Sequence, residues 1–173
     1  LDSPVDPNFR YETFFTQELL PWIDGHYPSI HDRKARAICG LSMGGHGAFF
    51  LAIRHSDLWG ASGSIAGGLD LRPFPQNWDL KKRLGPQDRY PENWLAHSVV
   101  GQLDLLKTVD LALKFDCGEQ DFFFGVNEAF RDSLEKRGIP HSYSSREGEH
   151  NWEYFSGSLP AHLKFFDEFF NKK

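Results

Sequence analysis

Basic runs, long apolar stretches and cysteines are what this chain has least of. Nineteen lysines and arginines stand against 24 aspartates and glutamates, a net charge of −5, and no basic block occurs. A nucleic-acid partner is not expected, because affinity for a phosphate backbone rests on clustered Lys and Arg. No apolar run approaches the ~20 residues of a membrane-spanning helix, so no membrane partner is expected either. Cys39 and Cys117 are the only two cysteines. Without ligand spacing they supply no metal cage, and each falls near the end of an expected strand, which reads as two buried thiols rather than a disulfide. The length of 173 residues is enough for one domain with one core. The chain begins Leu1-Asp2-Ser3-Pro4 without an initiator Met. A leader cannot be judged from that start, so cytoplasmic and secreted or periplasmic locations both stay open.

What the chain does have is Gly40-Leu41-Ser42-Met43-Gly44, a serine with a glycine two residues to either side. Ala35-Arg36-Ala37-Ile38-Cys39 before it reads as a short buried strand. Gly45 through Arg54 after it reads as a helix of small and apolar residues. A serine on so sharp a strand-to-helix turn is driven to φ > 0, which strains any residue with a Cβ. The flanking glycines let backbone and helix approach. Oγ is then held at the carboxyl edge of the sheet, beside the free N–H groups of a helix start. A serine that attacks a carbonyl needs that placement. Such a pattern also recurs by chance as a plain Gly/Ser turn, so the choice falls to residues later in the chain.

Val109 through Asp116 alternates as a strand does, and Cys117-Gly118-Glu119-Gln120-Asp121 forms the loop at its carboxyl end. Asp121 is the candidate acid. Asp116 lies within the strand and Glu119 comes early in the turn, so both rank behind it. A plain helix cap for the helix over Asn127–Arg137 is the other use of Asp121. Ser142–Arg146 reads as another strand, and His150 follows it in a loop before a helix rich in Phe and Leu. Seven other histidines compete. His46 is carried away from the serine by its helix, and His26, His31 and His55 sit in polar turns. His97 and His141 lack a nameable partner, and His162 falls in the last helix. Position favours His150 as the base.

The order Ser42, Asp121, His150 is that of the α/β-hydrolase fold, not of chymotrypsin-like or subtilisin-like proteases. Three stretches, Ser42-Met43-Gly44-Gly45-His46-Gly47-Ala48, Gly118-Glu119-Gln120-Asp121 and Glu149-His150-Asn151-Trp152, resemble those of the esterase D-like carboxylesterases. The amphipathic segment Glu18-Leu19-Leu20-Pro21-Trp22-Ile23 agrees. That family includes S-formylglutathione hydrolases, tributyrin, feruloyl and acetyl-xylan esterases, and the antigen 85 mycolyltransferases. The resemblance runs from about Tyr11 onward. It implies an α/β fold of the α/β-hydrolase type, a mostly parallel sheet flanked by helices, in one domain over residues 1–173. It also implies that Ser42, Asp121 and His150 are nucleophile, acid and base, with the Met43 N–H as one oxyanion donor.

Such enzymes carry strands and a loop ahead of the first helix, where this chain has about ten residues. The expectation is the later part of a longer protein, without its amino-terminal strands. The second oxyanion donor normally comes from that early loop and has no candidate here. The strand before Ser42 should then have an unpaired edge.

Trp59 through Ala66 reads as the next strand. Residues 67–109 follow with Pro73, Pro75, Pro86 and Pro91 and the aromatics Phe74, Trp78, Tyr90 and Trp94. An irregular insertion at a strand's carboxyl end is where a cap over the site is built. Phe74, Trp78 and Trp94 are expected either to wall a substrate pocket or to form the cap's own small core. For Phe122-Phe123-Phe124 core packing is favoured.

These residues point to a serine carboxylesterase acting on short-chain or aryl esters, small-molecule or polysaccharide-linked, with no metal or organic cofactor. Gly45-His46-Gly47 resembles the S-formylglutathione hydrolases and keeps a thioester open. Leu41, where those enzymes usually show His, and Trp152 favour an oxygen ester. An acyltransferase, a non-catalytic fragment that keeps the fold, and association with another copy or a missing amino-terminal segment remain as alternatives.

Overall fold

Four short strands, each followed by helix, build a parallel sheet in the computed structural model, which describes residues 1–171. The strands are β1 (Ala37–Leu41), β2 (Ala61–Ile65), β3 (Ala112–Gly118) and β4 (Ser142–Arg146), hydrogen-bonded in the order β1-β2-β3-β4. The helices are α1 (Tyr11–Thr13), running through a π-helical stretch (Phe14–Leu19) into α2 (Leu20–His26), then α3 (Met43–Arg54), α4 (Leu80–Leu84), α5 (Pro91–Ala96), α6 (Phe124–Lys136) and α7 (Trp152–Phe170). Parallel neighbours need such crossovers, because a hairpin cannot join them. Leu41 is registered with Ile65, and Ile65 with Asp116. The loops after the strands therefore emerge at one edge of the sheet, and that edge carries the site.

Partners rather than hydrophobicity mark where the strands begin. β1 and β3 start two and three residues later than their apolar runs imply, because Ala61 of β2 pairs with Ala37 on one side and Ala112 on the other. α3 buries Ala48, Phe49, Phe50, Leu51, Ala52 and Ile53 against the sheet and the segment that follows β2. Phe115 of β3 meets Phe49 at 5.8 Å and Phe130 of α6 at 5.5 Å, edge to face, so one aromatic knot joins three elements. The opposite face is covered by α7, which lays His162 and Phe166 over β2. A Cβ on Gly63 would stand 2.6 Å from His162 Nδ1 and 2.9 Å from the Phe166 ring, so close packing excludes a side chain there.

His46 lies buried on α3 and donates from Nε2 to the His97 carbonyl at 2.8 Å. Burial without a charged partner pushes its pKa down to about 4, so this imidazole is a neutral strut between α3 and residues 67–109. That segment contains α4 and α5, with Leu71, Leu84 and Trp94 clustered together.

β1 has a strand on one side only among the described residues. The expected burial of both cysteines holds for Cys117, inside β3, whereas Cys39, on the edge strand, is exposed as a residue even though its Sγ lies 3.7 Å from Nδ1 of buried His162.

Candidate active site

Ser42 closes β1 and opens α3. Its N–H donates to Ile65 O at 2.9 Å, continuing the ladder to β2, and its backbone then takes φ 55°, ψ −119°. A serine at a helix N-cap ordinarily turns its hydroxyl back onto the helix. Ser42 makes no such bond. Its Oγ lies 2.8 Å from His150 Nε2 instead. At Gly40 a Cβ would come within 2.3 Å of the Gly44 carbonyl carbon and oxygen, so the crossing of strand and helix requires glycine there. Gly44 is different, because a Cβ on it would meet nothing within 4 Å. The second tight position is Gly45, 2.6 Å from Ser64 Oγ and 3.0 Å from Gly67 Cα. The first N–H groups of α3, that of Met43 among them, have no carbonyl partner within the helix, as at any helix start.

Asp121 follows β3 through a tight turn, its N–H bonded to Gly118 O at 3.0 Å. Its side chain is wholly covered. Oδ1 accepts from Phe123 N–H at 2.8 Å and Oδ2 accepts from His150 Nδ1 at 2.6 Å. Oδ1 thus holds the local turn and Oδ2 holds His150; the helix-capping use is not seen, since Phe123 is the N-cap of α6 and no side chain caps that helix. The rivals stand elsewhere. Asp116 accepts from His162 Nε2 at 2.7 Å beneath α7, and Glu119 is exposed.

His150 sits between β4 and α7, where Asn151 caps the helix by accepting from Tyr154 N–H at 3.0 Å. A carboxylate can only accept, so the hydrogen must lie on Nδ1 and Nε2 is left to accept from the Ser42 hydroxyl. A hydroxyl, an imidazole and a buried carboxylate in that order can pass a proton away from Oγ while the carboxylate balances the imidazolium. Among the described residues no other histidine bonds Ser42. His55 bonds Glu12, His97 bonds Asn93 O, and His141 bonds Ile139 O.

The aromatics divide. Trp94 has no exposed surface, and its indole N–H donates to Gly85 O at 3.0 Å. The expectation that it walls a pocket is corrected: it is the centre of the small cluster of residues 67–109, where a substrate cannot reach it. Phe74 is half-buried against Phe123 at 5.1 Å, and exposed Trp78 lies 5.4 Å from the same ring. Phe123 is buried as expected, but Phe122 is exposed and its ring stands 4.4 Å from that of His150. Core packing was the wrong expectation for Phe122. The spacing held the signal, since Phe123, Asn127, Phe130 and Leu134 form the buried stripe of α6 and its start, and Phe122 falls off it. Trp78 and Asp79 both carry positive φ, 52° and 58°, a strained pair beside these rings. Asn127 escaped sequence reasoning. Fully buried, it donates from Nδ2 to both Gly67 O and Phe123 O at 2.9 Å, tying the turn after β2 to the Asp121 loop.

The sequence model of the Esterase family matches residues 6–166. The chain belongs to that family. Mouse (Mus musculus) S-formylglutathione hydrolase is 24% identical over 98% of this chain and 61% of its own length. A solved ferulic acid esterase superposes with a TM-score of 0.79 at 32% identity, over 99% of this chain and 64% of that one. S-formylglutathione hydrolase from Staphylococcus aureus superposes with a TM-score of 0.82 at 18% identity, over 95% of this chain and 66% of that one, a likeness of fold. The fold of this family member is accordingly that of the α/β-hydrolases. The chain spans about three-fifths of the length of the curated relatives it matches. Among the described residues no helix is long and apolar enough to cross a membrane, and no group of His, Cys, Asp and Glu is arranged to hold a metal ion.

Proposed function

We propose that this protein is a serine carboxylesterase that cleaves oxygen esters through an acyl-serine on Ser42. One observation carries the reading: a strained, uncapped serine whose Oγ is 2.8 Å from an imidazole that is itself 2.6 Å from a buried carboxylate. His150 takes the Ser42 proton as Oγ attacks the ester carbonyl, and Asp121 holds the ring and balances its charge. The Met43 N–H and the α3 N-terminus stabilise the oxyanion. His150 returns the proton to the leaving alcohol, and water repeats the sequence on the acyl group. The proton transfers and both displacements use only Ser42, His150, Asp121, the ester and water, so the mechanism calls for no metal or organic cofactor.

The test is labelling with a fluorophosphonate probe, read by mass spectrometry. Modification confined to Ser42 is expected; a folded sample that takes up no label would overturn the reading in favour of a catalytically silent member of the fold.

Residues 67–109 act as a cap in this reading, with Trp78, backed by Phe74, and Phe122 walling the approach to His150. Their exposed rings favour an aryl acyl group. Phe122→Ala and Trp78→Ala are expected to raise KM for aryl esters about five- to tenfold while changing KM for acetyl esters less than about twofold. Equal losses on both substrate series would remove the aromatic wall from the account.

A second reading, thioester hydrolysis, is favoured by the S-formylglutathione hydrolases among the relatives. Leu41 and Trp152 speak for the oxygen ester. Comparing kcat/KM on an acyl ester and the matching acyl thioester separates the two.

A further inference from the structure

Asp121 and His150 stand on different loops, and one side chain outside the relay links those loops. Gln120, next to Asp121, donates its backbone N–H to Gly148 O at 3.1 Å, and its side-chain Oε1 accepts from Gly148 N–H at 2.7 Å. Both backbone polar groups of Gly148, two residues before His150, are therefore held by one residue. Apart from the contact between His150 and Asp121, this is the one side-chain hydrogen bond between the two loops among the described residues.

The need for such a hold is local. Gly148 has φ 149°, which side-chain-bearing residues rarely adopt, and a Cβ on it would stand 2.4 Å from Tyr154 Cδ2. Gly118 is constrained from the other side, since its Cβ would come within 2.2 Å of Gly148 O. The close approach of the loops thus demands glycine at the point just before the base, and glycine is the residue with the most backbone freedom to lose. Gln120 itself is exposed, so burial gives no reason for its identity.

We propose that Gln120 is a positioning residue: by gripping Gly148 at both its N–H and its C=O, it keeps the His150 loop in register with Asp121. It thereby sets the fraction of molecules in which Ser42, His150 and Asp121 are aligned. The inference rests on the esterase reading for its kinetic consequence but not for the clamp.

The test compares Gln120→Met, similar in size but without the carboxamide acceptor, with Gln120→Glu, which keeps an acceptor at the same reach. For Gln120→Met, kcat on a soluble ester should fall about tenfold with KM within about twofold, because misalignment affects the reacting geometry and not the binding of the ester. Gly148 amide exchange should quicken about tenfold as its bond is lost. Gln120→Glu should keep kcat within about threefold of the parent and leave Gly148 protected. A Gln120→Met enzyme with kcat within about twofold of the parent, equal losses in both variants, or a change confined to KM would overturn the proposal. Failure of the parent to label at Ser42 would sink the esterase reading alone. The clamp is then judged by Gly148 exchange and by the His150 Nδ1–H resonance, which must both change in Gln120→Met if it exists.

Discussion

Ser42→Ala is expected to lower kcat for ester hydrolysis about 10⁴-fold or more, with KM little changed. The hydroxyl oxygen is the atom that forms the new bond, and no neighbouring side chain replaces it. His150→Ala should lose nearly as much, because Ser42 Oγ has no other base: Nε2 is its one described partner, at 2.8 Å. The informative measurement is the double variant. Groups that act as one relay do not add, so Ser42→Ala with His150→Ala should be no slower than Ser42→Ala alone. A further drop would mean that His150 assists turnover without passing through Ser42. The residual rate left by the oxyanion donors and by binding sets the floor in all three.

Gly40→Ala is the second large effect, and it acts through the backbone. The added methyl would lie 2.3 Å from the carbonyl carbon and oxygen of Gly44, main-chain atoms that cannot swing aside. Either β1 or the first turn of α3 must shift. A loss of about 3 kcal/mol or more in urea unfolding is expected, together with loss of fluorophosphonate labelling at Ser42. Gly47→Ala is the control, since a Cβ there would meet nothing within 4 Å. On the same helix it should gain about 0.5–1 kcal/mol from the backbone entropy that alanine does not lose. A Gly40→Ala protein with parental stability and labelling would show that strand and helix can part without cost to the turn.

Much of the site was legible because its signals are local or ordinal. The turn at Ser42, the loop after β3 and the loop after β4 each advertise themselves by a change of periodicity beside a chemically apt residue. Parallel strands of matched register then bring loops at corresponding ends together, so chain order sufficed to choose Asp121 over Asp116 and His150 over seven other histidines. Glycine was half legible. Gly40 and Gly44 are equivalent in the pattern, yet only Gly40 is crowded, while Gly45 earns its place from Ser64 and Gly67 on the next strand and turn. The aromatics were the least legible. Phe74, Trp78 and Trp94 look alike in an irregular segment, and whether an indole packs inward or faces solvent depends on what lies opposite.

By itself, then, the sequence determined the alternation of strand and helix, the parallel sheet that such alternation builds, and the three side chains that meet at its carboxyl edge. These follow from periodicity, turn chemistry and order along the chain, none of which needs a distant neighbour to be known. Only the tertiary structure decided that Trp94 is core and Phe122 is exposed beside His150, that Cys39 lies on an edge strand, and that Gln120 grips Gly148. Each of those depends on surfaces brought together from far apart in sequence, where accessible area and hydrogen-bond partners are properties of the contact and not of either segment alone.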